Sequence, residues 1–574
     1  MKRKNAFVAP LLLAAVSCAP HRPAAAPQSL LAARPPETKG DAAFLGGSWL
    51  APLRDEAGTS GLLVGRFEGD PWSLGYAFGR LTREKIRSQE THLETLFTAL
   101  VPNGFVRWWI RQGSALRLRH MDREIPEDLL LSIAGLADGY EPVPPASGWP
   151  AYRRVLSLHA LHDISQRFVD APALSSACTG FLAAGAATKD GHVLLARNFD
   201  FEGGDIFDRE KLVSVVLPAG RIPYLSVGFS GMLGVVSGFN REGIGVALQA
   251  VAGGETAGSG TPMTLLMADV LGNDATFEAA VERIRKAKVF VSDLVLIGDG
   301  KTGKMAVLEK TPSAFFVREP GDAHWLAAAN EASADLRHPP TSTSKPRLAR
   351  LDFLLRSISS GGTLLDAASA VSILRDRRSV NGAELGPGNR NAIDALIAAH
   401  SVVFDLTARR AWVAGAPHTL GTYFAVDLEA VLSRPDGPPP LPDAIPADPW
   451  LSDGTWQRYR EARKALREAR RAVRETSEGS LEPARAKAEE AHRLSPAFVD
   501  AAAFRGELEA RTGHLDRARQ LLEDALAHDP APAPLRDAVK RLRDAIANSA
   551  TLPKASLPIV LEPDELIEEN KKEK

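Results

Sequence analysis

The chain has 574 residues, 45% hydrophobic and 24% charged, the balance of an ordinary soluble globular protein able to build a core of normal size. A net charge of −1 and a pI near 6.9 argue against nucleic-acid binding or bulk electrostatic capture of an acidic surface. At roughly 150 residues per domain the length allows two to four domains, and two cysteines, Cys18 and Cys178, exclude a zinc ribbon or a disulfide scaffold.

The N-terminus reads "MKRKNAFVAPLLLAAVSCAPHRPAAAP". A basic head, a short apolar run from Ala6 to Val16 and small residues after it form a secretory signal rather than a span, because the run falls far short of the ~20 residues a spanning helix needs. Ala15-Val16-Ser17-Cys18 resembles a bacterial lipobox, with Ala15 where that pattern usually has Leu. Residues 1–17 are therefore expected as a signal peptide and 18–43 as a lipidated, Pro/Ala-rich disordered tether, placing the chain as an exported, membrane-anchored bacterial lipoprotein facing the periplasm or on the outer membrane.

From residue 44 to 177 helical signals dominate. "GDPWSLGYAFGRLTREKIRSQETHLETLFTAL" opens on Asp70-Pro71 and keeps a spacing near 3.6; "IPEDLLLSIAGLADGY" and "RRVLSLHALHDISQRF" continue in kind. At Cys178 the texture changes to strands. Hairpins are expected about Asp190-Gly191, about Pro218-Ala219-Gly220 and about Asn240 to Gly243. Helices follow at Met263–Leu271 and Thr276–Lys286, then strands, then helices at Pro346–Ile358 and Thr363–Arg375, and strands close the unit near residue 428. This order predicts a layered α+β domain over 178–432. Pro-rich residues 433–452 read as a linker. Beyond it, Leu481/Leu515, Ala484/Ala518, Ala491/Ala525 and Pro496/Pro530 recur at a 34-residue period, which resembles tetratricopeptide repeats over 453–548. Residues 549–574 are expected to be a disordered tail.

Several motifs fail on context. Gly298 to Met305 nearly spells a P-loop, but Met305 stands where a Mg²⁺-binding hydroxyl belongs and the stretch lies between strands, so a hairpin turn is expected. Lys301-Thr302-Gly303 with Ser342 to Lys345 has the chain order of penicillin-binding enzymes reversed. Gly228 to Met232 lacks the second glycine of a nucleophile elbow. There is no HExxH, so a zinc hydrolase is not indicated.

Cys178 remains. Cysteine is often a buried small hydrophobe. This one sits where helices give way to strands, follows the compact "SSA", and begins a hairpin whose second strand carries Arg197 and Asp200 back toward it. Three positions apart, Arg197 and Asp200 point to opposite faces of a regular strand, so a bulge or strand end is needed for both to reach the thiol.

"CTGFLAAGAATKDGHVLLARNFDF" resembles the start of the mature catalytic chain in the choloylglycine hydrolase and penicillin acyltransferase group, which are N-terminal nucleophile (Ntn) hydrolases; "GDPWSLGYAFGRLTREKI" and "SIAGLADG" resemble the pro-segment of the acyltransferase branch. The resemblance covers about residues 60–428 and implies a four-layer αββα Ntn sandwich, followed here by a small all-α repeat module. It implies autocleavage between Ala177 and Cys178, after which Cys178 is the nucleophile and its own α-amine the base. Arg197 would hold the thiolate, Asp200 would orient the amine, Asn330 of "WLAAAN" would donate to the oxyanion and Arg347 of "TSTSKPR" would support that site. Gln249 stands where the family often has Asn, leaving its oxyanion role open. No metal or organic cofactor is implied. The substrate would be a small acyl amide or acyl donor, with a lipid-amide or phospholipid deacylase as the alternative within enzymes. A different class, an inert surface scaffold whose repeats bind a protein or peptide partner, is also open. Membrane contact is expected only through the lipid at Cys18.

Overall fold

The computed structural model describes residues 27, 30, 45–54, 60–118, 120–140, 149–165, 178–251, 254–332, 343–438, 443–475, 481–548, 551–553, 556–558 and 561–572. The signal peptide, Cys18 and Ala177 lie outside them. Leu30 does not, and it corrects part of the tether: this apolar side chain is 2% exposed and packs into the helical core.

The first segment opens on two strands, β1 (Trp49–Arg54) and β2 (Ser60–Gly69), which the reading of 44–177 as a helical segment does not include. "GLLVGRFEG" becomes a strand because its partner lies far along the chain: β2 pairs in parallel with β5 (Lys211–Pro218). The helices α1 (Pro71–Leu100), α2 (Gly104–Leu118), α3 (Glu127–Tyr140), α4 (Ala151–His159) and α5 (Leu161–Ser165) follow. Asp70 caps α1 by accepting from the Trp72 and Ser73 amides, with Pro71 in the first turn where no amide donor is needed. Helices α1 and α3 cross backbone to backbone through Gly75 and Gly79 on one and Gly135 and Gly139 on the other. A Cβ on Gly75 would lie 1.9 Å from the Ser132 carbonyl oxygen, and one on Gly139 would lie 2.2 Å from that of Tyr76. Only glycine permits this approach.

Two antiparallel-rich sheets form the centre. One has nine strands in the order β1-β2-β5-β6-β7-β8-β9-β10-β11, taking in β6 (Tyr224–Phe229), β7 (Ser237–Asn240), β8 (Ile244–Ala250), β9 (Asp293–Asp299), β10 (Met305–Lys310) and β11 (Phe315–Arg318). The other has six, β12-β3-β4-β13-β14-β15, from β3 (Thr179–Ala183), β4 (Leu194–Asp200), β12 (Trp325–Ala328), β13 (Ala398–Asp405), β14 (Arg410–Ala414) and β15 (Tyr423–Asp427). Side chains such as Val213, Val227, Leu195 and Phe404 fill the space between the sheets. Helices α6 (Met263–Asn273) and α7 (Phe277–Lys286), with α1 and α3, cover the outer face of the large sheet. Helices α8 (Ser344–Ser360) and α9 (Ala367–Leu374) cover the small one through Leu351, Leu355 and Leu374 against Phe181 and Val403. The layers run helix, sheet, sheet, helix. Gly298 to Met305 turns between β9 and β10, a hairpin and no phosphate loop.

An all-helical region closes the chain: α10 (Thr455–Glu475), α11 (Glu482–Leu494), α12 (Val499–Arg511), α13 (Leu515–Ala527) and α14 (Ala533–Ala547). The stretch 433–452 is anchored rather than free where it is described, since Ile445 pairs with Tyr423 through both backbone bonds. The tail is not disordered throughout: α15 (Pro563–Lys572) docks between α10 and α1. Ile567 packs on Leu96 and Ala99, and Glu565 takes Arg463 and Arg467 at 2.7 and 2.6 Å. A charged, amphipathic tail folds here because the surface it needs is supplied by helices remote in sequence.

Candidate active site

Cys178 is the residue before β3 and is fully buried, the one cysteine among the described residues. The β3–β4 register sets Thr179 against Asn198 and Gly180 against Arg197. Alternation then puts Cys178, Gly180, Arg197 and Phe199 on the face between the sheets and Thr179, Asn198 and Asp200 on the helix-covered face. Gly180 keeps the inner face open: a Cβ there would lie 3.0 Å from the Arg197 Cβ and 3.2 Å from the Gln249 Nε2.

Arg197 spans the gap between the sheets. Its Nη1 donates to the Val236 carbonyl (3.1 Å) and to Ser237 Oγ (3.2 Å), and the guanidinium lies 4.8 Å from the Phe199 ring centroid. Burial pulls its pKa down, and the Cys178 thiol and then Asp200 oppose that shift by charge. The guanidinium thus bears on the thiol. His400 supports the same corner, with Nε2 2.9 Å from Ser237 Oγ.

Asp200 occupies the other face, as alternation demands, close to the start of β3. A register shift in β13 between Ala398 and His400 falls opposite this strand end. Its Oδ2 is buried and has no hydrogen-bond partner among the described residues. Burial raises its pKa to about 7; Arg347 and Arg390 pull the other way, Asp394 adds to the rise, and Arg197 again opposes it.

Arg347, in the first turn of α8, ties the site together. Nη1 donates to the Cys178 carbonyl (2.8 Å) and to Thr179 Oγ1 (2.7 Å), and Nη2 donates to Asn330 Oδ1 (3.3 Å). Asn330 follows β12 with φ of +59°, a left-handed conformation Asn tolerates better than most residues. Its Nδ2 donates to the Ala250 carbonyl (2.8 Å), and its backbone N–H donates to Gln249 Oε1 (3.2 Å). Gln249 Nε2 donates to the Ala328 carbonyl (3.2 Å). Gln249 and Asn330 therefore clamp β8 to β12 across the two sheets, and each amide nitrogen keeps a second hydrogen.

All six expected residues with described positions, Cys178, Arg197, Asp200, Gln249, Asn330 and Arg347, gather at the head of β3. Thr179, Ser237, His400, Arg390 and Asp394 join them without a sequence signal that singles them out. Thr179 adjoins the nucleophile and is accessible to an argument from alternation; the others come from elements whose pairing no local pattern announces. One group among the described residues, His162, Asp163 and Asp293, brings three potential metal-ligating atoms within 4.8 Å of one another. Arg197 adds positive charge there, helping burial to push the His162 pKa down to about 3, and so works against a cation.

Residues 186–416 match the acyl-coenzyme A:6-aminopenicillanic acid acyl-transferase family. This stretch of the domain is therefore similar to the penicillin acyltransferase family. The match begins just past Cys178. An uncharacterized protein of Archaeoglobus fulgidus is 26% identical over 275 residues, 45% of this chain and 45% of that protein, so the match spans about half of the relative's length. Among solved structures, the N-acylethanolamine-hydrolyzing acid amidase ortholog of Caenorhabditis elegans is 19% identical, covering 40% of this chain and 93% of that one, with a TM-score of 0.32. A mutant conjugated bile acid hydrolase of Clostridium perfringens is 15% identical, covering 46% and 96%, with a TM-score of 0.31.

Proposed function

We infer that the chain is an autoprocessing amidohydrolase or acyltransferase whose nucleophile is Cys178. The observation that carries the reading is the position of this thiol at the head of β3, with a buried guanidinium on one side and a buried carboxylate oxygen lacking a partner near the same strand end.

In the processing step the Cys178 sulfur attacks the Ala177 carbonyl carbon. The C–N bond breaks as the C–S bond forms, giving a thioester and a free amine on Cys178. Water then opens the thioester, leaving a carboxyl on Ala177 and the thiol on Cys178. A free α-amine ordinarily titrates at about 7.7–8.0 and a free thiol at about 8.5, close enough for an N-terminal amine to serve as the base without a histidine. The thiolate, held by Arg197, attacks the carbonyl of a small acyl amide. The amine retains the proton and passes it to the leaving nitrogen, and water or an acceptor amine resolves the acyl thioester. The spare N–H of Asn330, steadied by Arg347, and that of Gln249 are the oxyanion donors; one such preorganised donor contributes about 2.7–4 kcal/mol. Asp200 holds the ammonium form of the terminal amine. Export and lipidation at Cys18 belong to the same reading, and metabolic labelling with palmitate tests them.

The test is trapping. After brief incubation with a panel of acyl amides of graded chain length, mass spectrometry should find an acyl adduct on the peptide beginning at Cys178. Turnover surviving in Cys178→Ala, or an adduct on another residue, contradicts the reading. An intact chain that makes no adduct with any amide, yet retains a peptide on its helices, would favour a scaffold.

A further inference from the structure

The helical region lies against the catalytic domain at several places, among them His418 on Trp456 (5.7 Å between ring centroids), Arg460 with Asp205 (3.4 Å) and one loop, "LGPGNRNAIDA", residues 385–395. Gly386 and Gly388 have φ of +79° and +74°. A Cβ on Gly386 would lie 1.9 Å from the Ala497 carbonyl oxygen, and one on Gly388 would lie 2.1 Å from the Tyr459 hydroxyl, so the loop backbone is wedged directly against α10 and the α11–α12 turn. The next residues grip the end of α13. Asn389 Nδ2 donates to the carbonyls of His528 (2.8 Å) and Asp529 (3.1 Å), and Asn391 Nδ2 donates to Asp529 Oδ2 (2.8 Å). Leu396 is buried with Tyr459, Ala462 and Phe498 in the core of the helical region.

The same loop reaches the active site. Its Ile393 carbonyl accepts from Asn198 Nδ2 (3.0 Å) on β4. Arg390 pairs with Glu202 at 3.1 Å, just beyond the strand, and its charge bears on Asp200. Asp394 bears on Asp200 with the opposite sign, and Arg377 holds Asp394 at 2.7 Å and Asp448 at 2.9 Å. The charged groups acting on Asp200 are thus Arg347 from α8, Arg197 from its own strand, and Arg390 and Asp394 from this loop. On its other side Arg390 bears on Tyr459 and Glu562 of the helical region.

We propose that the helical region is a clamp for the active site: by fixing the 385–395 loop it holds Arg390, as a positioning residue, against Glu202 and the end of β4 that carries Asp200. The loop glycines let the two bodies touch, the asparagines fix their register, and Arg390 delivers the result to the site. This rests on Asp200 holding the terminal amine of Cys178.

The test uses the full chain with Arg390→Gln, Arg390→Lys and the double variant Asn389→Ala/Asn391→Ala. Scission at 177/178 is read by mass, kcat/KM on a chromogenic acyl amide is read against pH, and hydrogen exchange is read across 198–203 and 384–396. Losing a facing cation disfavours the carboxylate, so Arg390→Gln should move the acid limb of the profile to higher pH by roughly one unit. Arg390→Lys, keeping the charge, should restore most of it. The double variant should shift the limb the same way by less and speed exchange in both segments. An acid limb unmoved in folded Arg390→Gln overturns the proposal, as does unchanged exchange at 198–203 in the double variant. If Arg390→Gln does not fold, the double variant decides. An uncut but active wild type would end the Cys178 reading, while the exchange data still decide whether the clamp exists.

Discussion

The two faces of the β3–β4 hairpin do different work. On the inner face a thiol meets a fixed cation: Cys178 and Arg197 lie together with Phe199 in the space between sheets, and Arg197 is tied to Val236 and Ser237 of the opposite sheet. On the outer face an acid sits among balanced charges, with Arg347 and Arg390 set against burial and Asp394. The inner face sets a fixed guanidinium beside the thiol. The outer face is poised, and it is where a new ammonium would change the balance most. In the proposed mechanism, one strand residue of alternation separates nucleophile activation from amine capture.

The largest effect is expected on the inner face. Replacing Arg197 by Leu should lower the rate of thioester formation about 10²–10³-fold, the cost of losing one preorganised donor. Single-turnover acylation measures it, and Arg197→Lys should lose less. A loss equal to that of Asp200→Asn in both size and pH dependence would erase the distinction between the faces.

The outer face should instead show itself through pH. Burial raises the Asp200 pKa to about 7, so the fold favours its protonated form. In the uncut Cys178→Ala chain its contribution is full below the ordinary carboxylate value of about 4 and is lost as pH rises to about 7. Stability in that background should therefore fall across this window, and adding Asp200→Asn should flatten that part of the slope. Thermal melts between pH 4 and 8 measure it; an identical slope in both variants contradicts the assignment.

A smaller effect separates the hinge between the faces. Thr179→Val removes one acceptor of Arg347 while leaving the Cys178 carbonyl in place, and should cost about 1 kcal/mol. Activity should drop less than with Asn330→Ala, which removes the proposed oxyanion donor and, by the same scale, should cost about 10²-fold or more. Steady-state kinetics on the pair of variants rank them, and a reversed order would move the oxyanion role away from Asn330.

The inner face is partly legible in the amino-acid sequence because a hairpin is local: the Asp190-Gly191 turn brings the Arg197–Asp200 end of the second strand back toward Cys178, while the choice of Arg197 as the thiol's partner follows from family resemblance. Asn330 and Arg347 follow from family resemblance, and their joint hold on the head of β3 depends on β12 pairing beside β3. Arg390 and Asp394 have no such route. They sit in a loop whose shape is set by contacts with Ala497, Tyr459 and Asp529. The strands β1 and β2 escape a local reading for the same reason, since β2 finds its parallel partner only through a crossover. The tail helix is hidden because its apolar residues are few and its charges find partners only on α10.

The account stands or falls on whether the Ala177–Cys178 bond is broken in the working enzyme. Intact mass and N-terminal sequencing of an active, full-length preparation measure this directly. The account predicts two fragments that copurify, the second beginning at Cys178, and none in Cys178→Ala. A single uncut chain carrying full activity would contradict it.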